Sequence, residues 1–392
     1  MPARNAYIAA VRRSPIGNFM GSLSKLSATA LCGQVAKALL DECKVDRAAI
    51  NEVFIGQVLQ AGCGQNPARQ VALAAGIPDT ISCVTINKVC GSGIQAAMFA
   101  DQLIRAGDVD VVLTGGMESM SNAPHLLRGL RAGHKFGKAD LVDEMEFDGL
   151  TNIFDGEIMG AIADETGARA GITRQAQDEF ALRSHQRAAQ GDRDGLFDGF
   201  RVPVAVPKAE RPFNTDETIR AELNPEKIAS LKAVFRKDGT VTAANASTIS
   251  DGAAAVLVTS EAGLKKCGVA PLARIVAHAT SGGPPRDLFF TPIGACRMVC
   301  EKAGWDLKKV DLWEINEAFA AQMLTCMKGL ELGAENMNIA GGAIALGHPI
   351  GASGSRILGT LAHLLKRKGL KRGVASACLG GGNAVAIAIE AV

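Results

Sequence analysis

Four short stretches of this chain set reactive or proton-handling side chains beside glycine-rich turns. In Asn87-Lys88-Val89-Cys90-Gly91-Ser92-Gly93 a cysteine stands between an apolar strand and the start of a helix. A helix N-terminus offers unpaired N–H groups and the positive end of the macrodipole, which favour the thiolate, the nucleophilic form. Gly347-His348-Pro349-Ile350-Gly351-Ala352-Ser353-Gly354 sets an imidazole just ahead of another helix, suited to taking a thiol proton and returning it. Cys378-Leu379-Gly380-Gly381-Gly382 follows a strand of small residues, and its glycines expose backbone N–H groups to a developing oxyanion. Asn316-Glu317-Ala318-Phe319-Ala320 begins at a strand-to-helix junction. Asn316 reads by default as a helix cap, and otherwise as an amide that positions a water or a carbonyl oxygen.

Taken singly, each stretch also has an ordinary reading: a core thiol, a loop histidine, a turn needing glycine. Gly91-Ser92-Gly93-Ile94-Gln95-Ala96 even fits a loose dinucleotide-binding pattern. That fingerprint follows the first strand of its unit, whereas two strands precede it here. Together the four stretches carry more weight, because all are read as lying where strands end, the place where parallel sheets build sites.

The elements that must hold them follow from the apolar rhythm. Through about residue 120, strands at 7–11, 53–55, 84–86 and 109–113 alternate with helices at 28–40, 67–75 and 94–105. Such alternation predicts a mostly parallel sheet with helices on its faces. Residues 121–245 are more polar, with one clear helix at 174–190 capped by Thr173 and Pro-interrupted strands such as Val202-Pro203-Val204. From about residue 271 the pattern of the first section returns. Residues 310–316 match the rhythm of 50–56, the His348 motif stands where the Cys90 motif stood, and 375–381 mirrors 111–116. The chain therefore reads as a duplicated α/β unit: 1–120 plus 246–270 as the N-terminal half, 121–245 as an inserted loop domain, and 271–392 as the C-terminal half.

Composition narrows the classes. The 392 residues are 47% hydrophobic with 44 glycines, as in a tightly packed α/β protein. A net charge of +2 gives no field for nucleic acid or an anionic membrane. The longest apolar runs, 253–258 and 384–389, suit buried strands and fall far short of a membrane span. The start lacks the apolar core of a secretion signal and Glu390-Ala391-Val392 is no peroxisomal address, so a cytoplasmic protein is expected. Ten cysteines without a C-x-x-C pair or zinc-type histidine spacing read as reduced thiols, with no metal and no disulfide scaffold.

Together the motifs at 89–93, 316–320, 347–354 and 378–382 resemble the thiolase family, in that family's order. The likeness extends over nearly the whole chain. Gly115-Gly116-Met117-Glu118-Ser119-Met120-Ser121 looks like the way into the family's loop domain, and Asp238-Gly239-Thr240-Val241-Thr242 with Asn245-Ala246-Ser247 like the way back. The resemblance implies a five-layered αβαβα fold built from two duplicated halves. It implies coenzyme A and acyl-CoA as substrates, with no cofactor. Cys90 would be the acylated nucleophile, His348 its base, and Cys378 the group that moves the proton at the α-carbon of a second thioester. Asn316, through a water, and His348 would stabilise the enolate, while the N–H groups of Cys90 and Gly380 would hold the acyl oxyanion. Ser247, Phe319, Arg220 and Met159 would contact the coenzyme. The basic stretch Arg128, Arg131, Lys135 and Lys138 resembles a charged loop near the nucleotide and the oligomer contact.

The implied reaction is the Claisen condensation of two acetyl-CoA, or the reverse thiolysis of acetoacetyl-CoA, through an acyl-cysteine in a ping-pong cycle. A thiolate both attacks a thioester and leaves from one, so acyl transfer runs either way. Two departures bear on substrate size. Ile158-Met159-Gly160 stands where acetoacetyl-type members carry His-Met-Gly, and Leu288-Phe289-Phe290-Thr291-Pro292 replaces a glycine-rich segment. They motivate an alternative, a longer-chain 3-ketoacyl-CoA thiolase of fatty-acid degradation. A reading of another class is a non-catalytic acyl-CoA-binding protein on the same fold. Family members pair through the core, so a homo-oligomer, dimer or tetramer, is expected.

Overall fold

The strands of the large sheet are runs of small and β-branched residues, which can be buried on both faces. In the computed structural model, which describes residues 4–392, the first section comprises β1 (Tyr7–Arg13), β2 (Gly17–Asn18), α1 (Ala28–Glu42), β3 (Glu52–Gly56), α2 (Pro67–Ala74), β4 (Ser82–Ile86), α3 (Ser92–Ala106) and β5 (Val111–Ser119). The polar middle carries β6 (His125–Leu126), β7 (Val142–Asp143), α4 (Met159–Ala170), α5 (Arg174–Arg193) and α6 (Pro225–Ala229). The chain then returns with β8 (Ser250–Thr259), α7 (Glu261–Cys267), β9 (Ala273–Gly282), α8 (Thr291–Ala303), β10 (Leu312–Ile315), α9 (Ala320–Leu330), α10 (Ala343–Leu346), α11 (Ile350–Lys368), β11 (Arg372–Leu379) and β12 (Asn383–Ala391). Residues 1–3, part of the expectation about the chain start, lie outside the described residues.

The strand order is β10-β11-β12-β9-β1-β8-β5-β3-β4, two arms joined where β1 meets β9 over Tyr7–Arg274 and Ile8–Ala273. α1 and α2 cover the outer face of the β1-to-β4 arm, and α8 covers that of the β9-to-β12 arm with α9 against it. α3 and α11 lie between the arms and touch both, which makes five layers, αβαβα. The sheet is mixed rather than mostly parallel. β3 runs parallel to β4 and β5, and β10 parallel to β11, but β8 and β12 run against their neighbours. The turn at residues 380–382 is too short for a crossover, so β12 must fold back as a hairpin.

The duplication is visible in detail. β3 and β10 each follow a 3₁₀ turn capped by an aspartate, with Asp46 accepting from the N–H of Ala48 and Asp306 from that of Lys308, both at 3.0 Å. Trp313 makes a parallel bridge to Met337 where β4 pairs with β3. The central helices touch through the glycines of their own motifs. A β-carbon on Gly93 would collide with the backbone nitrogen of Ser355, and one on Gly354 would stand 2.7 Å from that of Ile94. Only glycine permits this approach.

Two elements differ from expectation. Val202-Pro203-Val204 forms no strand: only isolated bridges flank and end it, Arg13 with Arg201 and Val204 with Phe213. α4 has no counterpart in the reading of the sequence, because Gly160 and Gly167 lower its helix propensity and Ile158 supplies no side-chain cap. Its burial stabilises it instead: Gly160, Ala161, Ile162 and Ala163 face inward, and Asp164 accepts from the N–H groups of Thr240 (2.6 Å) and Val241 (2.8 Å).

The excursion between β5 and β8 is tied to the core by one buried ion pair. Arg13 holds Asp216 through Nη1 (2.7 Å) and Nη2 (2.8 Å), Arg201 adds a bond of 2.9 Å, and the N–H of Ile16 donates to the same carboxylate. Burial alone would raise the Asp216 pKa, but Arg13 and Arg201 outweigh it and hold the carboxyl below its ordinary range. Asp216→Asn would leave Arg13 buried and uncompensated, so a loss of about 3–5 kcal/mol is expected as a lowered urea midpoint. A midpoint within error of the parent would contradict that role.

Candidate active site

A cavity of about 570 Å³ opens between the ends of the central helices, the β11–β12 turn and the returning excursion. Cys90, His348, Cys378 and Gly380 line it, and so do Ser247, Arg220, Phe319 and Met159. Asn316 does not reach its surface. It lies fully buried just past β10, with Nδ2 3.4 Å from His348 Nε2. The chain thus brings eight of the nine residues singled out in the sequence to one cavity, with the ninth behind its wall. Two placements differ from expectation. Asn316 is no helix cap, since α9 begins after Phe319. His348 follows the helical turn α10 rather than a strand.

Cys90 Sγ is 3.3 Å from His348 Nε2. On the far side of the ring, Nδ1 is 2.6 Å from Ser353 Oγ, and that hydroxyl donates to the carbonyl of Pro349 at 2.9 Å. The Ser353 oxygen must therefore accept from Nδ1–H, which leaves the Nε2 lone pair facing Cys90 and the amide of Asn316. Asn316 Oδ1 is buried without a hydrogen-bond partner among the described residues. Glu118 steadies the assembly from behind, accepting from the N–H groups of Gly351 (2.9 Å), Val58 (3.1 Å) and Leu59 (3.2 Å), so it ties the first turn of α11 to the end of β3. Ser353 and Glu118 both stand in the quoted motifs, but no spacing rule marks either as a support; only the folded distances do.

Burial decides the resting protonation. It pushes the Cys90 thiol up to about 12, although the backbone N–H groups of Cys90 and Gly380 point at the sulfur and pull the other way. Burial thus works against the thiolate that the start of α3 is expected to favour. Burial, with the charge of Arg356 further along α11, pushes His348 down to about 3. Cys378 is driven well above the ordinary thiol range, by burial first and then by the nearby Cys90 and Cys326. At neutral pH the pair rests as thiol and neutral imidazole. In the turn after β11, Gly381 and Gly382 take positive φ (84° and 89°), which leaves the Gly380 N–H directed at the cavity.

The remaining wall is mostly apolar, with Asn18, Thr242 and Thr248 among its polar members. Ile158, Leu288, Phe289 and Phe319 line it, and Phe289 packs edge-on against Phe319 with centroids 5.4 Å apart. Of the two phenylalanines that depart from the family pattern, only Phe289 reaches the cavity; Phe290 lies under Arg169. The basic stretch Arg128, Arg131, Lys135 and Lys138 is exposed and does not line the cavity. Among the described residues no cluster of His, Cys, Asp or Glu has metal-binding geometry.

The neutral resting pair fixes a pH dependence. The folded pKa of Cys90 lies above neutrality, so thiolate grows as pH rises towards it. Alkylation of Cys90 by iodoacetamide, followed by peptide mass spectrometry, should accelerate about tenfold per unit between pH 7 and 9. A rate independent of pH from 5 to 8 would reveal a thiolate–imidazolium pair and contradict this arrangement.

Comparison with known proteins agrees with this geometry. The profile of the thiolase N-terminal domain matches residues 6–262 and that of the thiolase C-terminal domain residues 269–391. The acetyl-CoA acetyltransferase of Chromobacterium violaceum is 48% identical over 98% of both chains, and that of Cupriavidus necator 47% identical over 98% of this chain and 99% of its own. The crystal structure of the Bacillus anthracis acetyl-CoA acetyltransferase superposes with a TM-score of 0.97 at 41% identity, covering 100% of this chain and 99% of that one. That of human mitochondrial 3-ketoacyl-CoA thiolase does so with 0.97 at 40% identity, covering 99% of each. With both domain profiles, full-length relatives and the five-layered fold in agreement, the chain belongs to the thiolase family and is an acyltransferase.

Proposed function

We propose that this thiolase condenses two acetyl-CoA to acetoacetyl-CoA and CoA, and catalyses the reverse thiolysis. The observation that carries the reading is the Cys90–His348 contact at 3.3 Å, opening on the same cavity as Cys378 and Gly380. His348 Nε2 takes the Cys90 proton as the sulfur attacks the thioester carbonyl, and the N–H groups of Cys90 and Gly380 hold the oxyanion. CoA leaves as a thiol with the proton of Cys378. The imidazolium in the same cavity favours that ionisation.

Cys378, now a thiolate and a strong base, takes an α-proton from the second acetyl-CoA. Its enolate is stabilised by His348 Nε2–H and by Asn316 through a water. The enolate carbon attacks the acyl group, the Cys90 thiolate leaves, and the imidazolium returns its proton. Both thiols and the neutral imidazole are regenerated. Ser247, Phe319 and Met159 would line the pantetheine path, with Arg220 towards the nucleotide, a reading supported by their common position on the cavity wall.

A second reading, a 3-ketoacyl-CoA thiolase for longer chains, is favoured by Ile158 and Phe289 on that wall. We further propose a homo-oligomer, dimer or tetramer. Its support is the open edge of β4, which among the described residues pairs only with β3 and leaves Val84 exposed near the exposed Phe99 of α3. The ten unpaired cysteines support work in a reducing, cytoplasmic compartment. No helix among the described residues is long and apolar enough to cross a membrane.

The test is CoA-dependent cleavage of four-, six- and eight-carbon 3-ketoacyl-CoA, with Cys90→Ser as control. Fastest turnover at four carbons, abolished in Cys90→Ser, is expected. Activity that rises with chain length would favour the second reading. CoA binding without turnover of any substrate would point to a binding protein.

A further inference from the structure

Val89, the residue before the nucleophile, sits at φ 46°, in the left-handed region. Of the seven non-glycine residues with positive φ among the described residues, it alone is β-branched, and a β-carbon with two substituents fits that region worst. Such a conformation persists only where its surroundings over-determine it.

The surroundings are specific. Asn87 Oδ1 accepts from the N–H of Val89 at 3.0 Å. Ser92 Oγ, fully buried, accepts from the N–H of Lys88 at 2.8 Å and donates to the carbonyl of Val89 at 2.7 Å. The N–H groups of Gly91 and Ser92 close onto the carbonyls of Lys88 and Val89 at 3.1 Å each. Gly56 makes room for this clasp, because a β-carbon there would stand 2.6 Å from that of Ser92. Val89 itself seats against the turn that offers the oxyanion N–H: its Cγ1 lies 3.3 Å from where a β-carbon on Gly380 would be. A relaxed residue 89 would swing the next residue away from both His348 and Gly380.

We propose that Asn87 and Ser92 are positioning residues for acyl transfer, holding Val89 in its left-handed turn so that Cys90 Sγ faces His348 Nε2 and the Gly380 N–H. The inference rests on the reading of Cys90 as the nucleophile. It concerns aim rather than affinity, so it separates from a merely structural role in the kinetic constants. In Asn87→Ala and in Ser92→Ala, kcat and the rate of Cys90 acetylation by acetyl-CoA should fall about ten- to a hundredfold, with KM changed less than about twofold.

Asn87→Ser, whose hydroxyl can accept the N–H two residues on, should recover most of the rate lost in Asn87→Ala. Thermal melting and retained CoA binding establish that each variant is folded. An unchanged kcat in both alanine variants would overturn the proposal. So would a rise in KM with kcat preserved, or a serine variant no faster than the alanine one. Full turnover in Cys90→Ser would instead remove the nucleophile reading on which the proposal rests, an outcome that does not depend on Asn87.

Discussion

The close crossing of the two central helices is the constraint on which the rest of the molecule depends. Cys90 precedes α3 in the N-terminal half and His348 precedes α11 in the C-terminal half, so each side chain lies at the start of its own half's central helix. The two meet because Gly93 and Gly354 let those starts touch, with no side chain between them. The two arms of the sheet clamp this layer from both sides, and Glu118 binds the first turn of α11 to the end of β3. Duplication thus has a chemical use: two equivalent helix starts, brought face to face, carry two different functional groups.

A second consequence follows from where this crossing lies. It sits deep between layers, so burial sets the protonation of the site. Cys90 and Cys378 rest as thiols and His348 as neutral imidazole, because a charge there is poorly solvated. In the proposed cycle charge first appears as proton transfer and bond formation run together, with the N–H groups of Cys90 and Gly380 placed for the oxyanion. Cys90 need not be ionised before it attacks, and Cys378 becomes a thiolate only as CoA leaves with its proton. A neutral pair, with His348 buried and Cys90 half-buried, also limits side reactions of the thiolate at neutral pH.

Much of this was legible in the sequence, for identifiable reasons. β-branched runs and glycine-rich strand ends fixed the strands and the four motifs, and the matching Asp-capped turns before β3 and β10 bear out the repeat read between residues 50–56 and 310–316. Other features were not legible. α4 is stabilised by burial against its neighbours despite two glycines, so local propensity pointed away from it. The antiparallel courses of β8 and β12 depend on connections whose path no apolar rhythm encodes. Ser353 and Glu118 are ordinary residues in the one-dimensional chain and become supports only through contacts across the fold. The effect of burial on Cys90 was likewise hidden, since the sequence announces a helix dipole but not the low dielectric around it.

We propose that Cys90, not Cys378, carries the acyl group, although both thiols line one cavity. The most direct measurement mixes the protein briefly with acetyl-CoA, quenches in acid, and locates the acetyl group by peptide mass spectrometry. One acetyl group per chain, on the peptide that contains Cys90, is expected. Acetyl on the Cys378 peptide, or none on either while turnover proceeds, would contradict it.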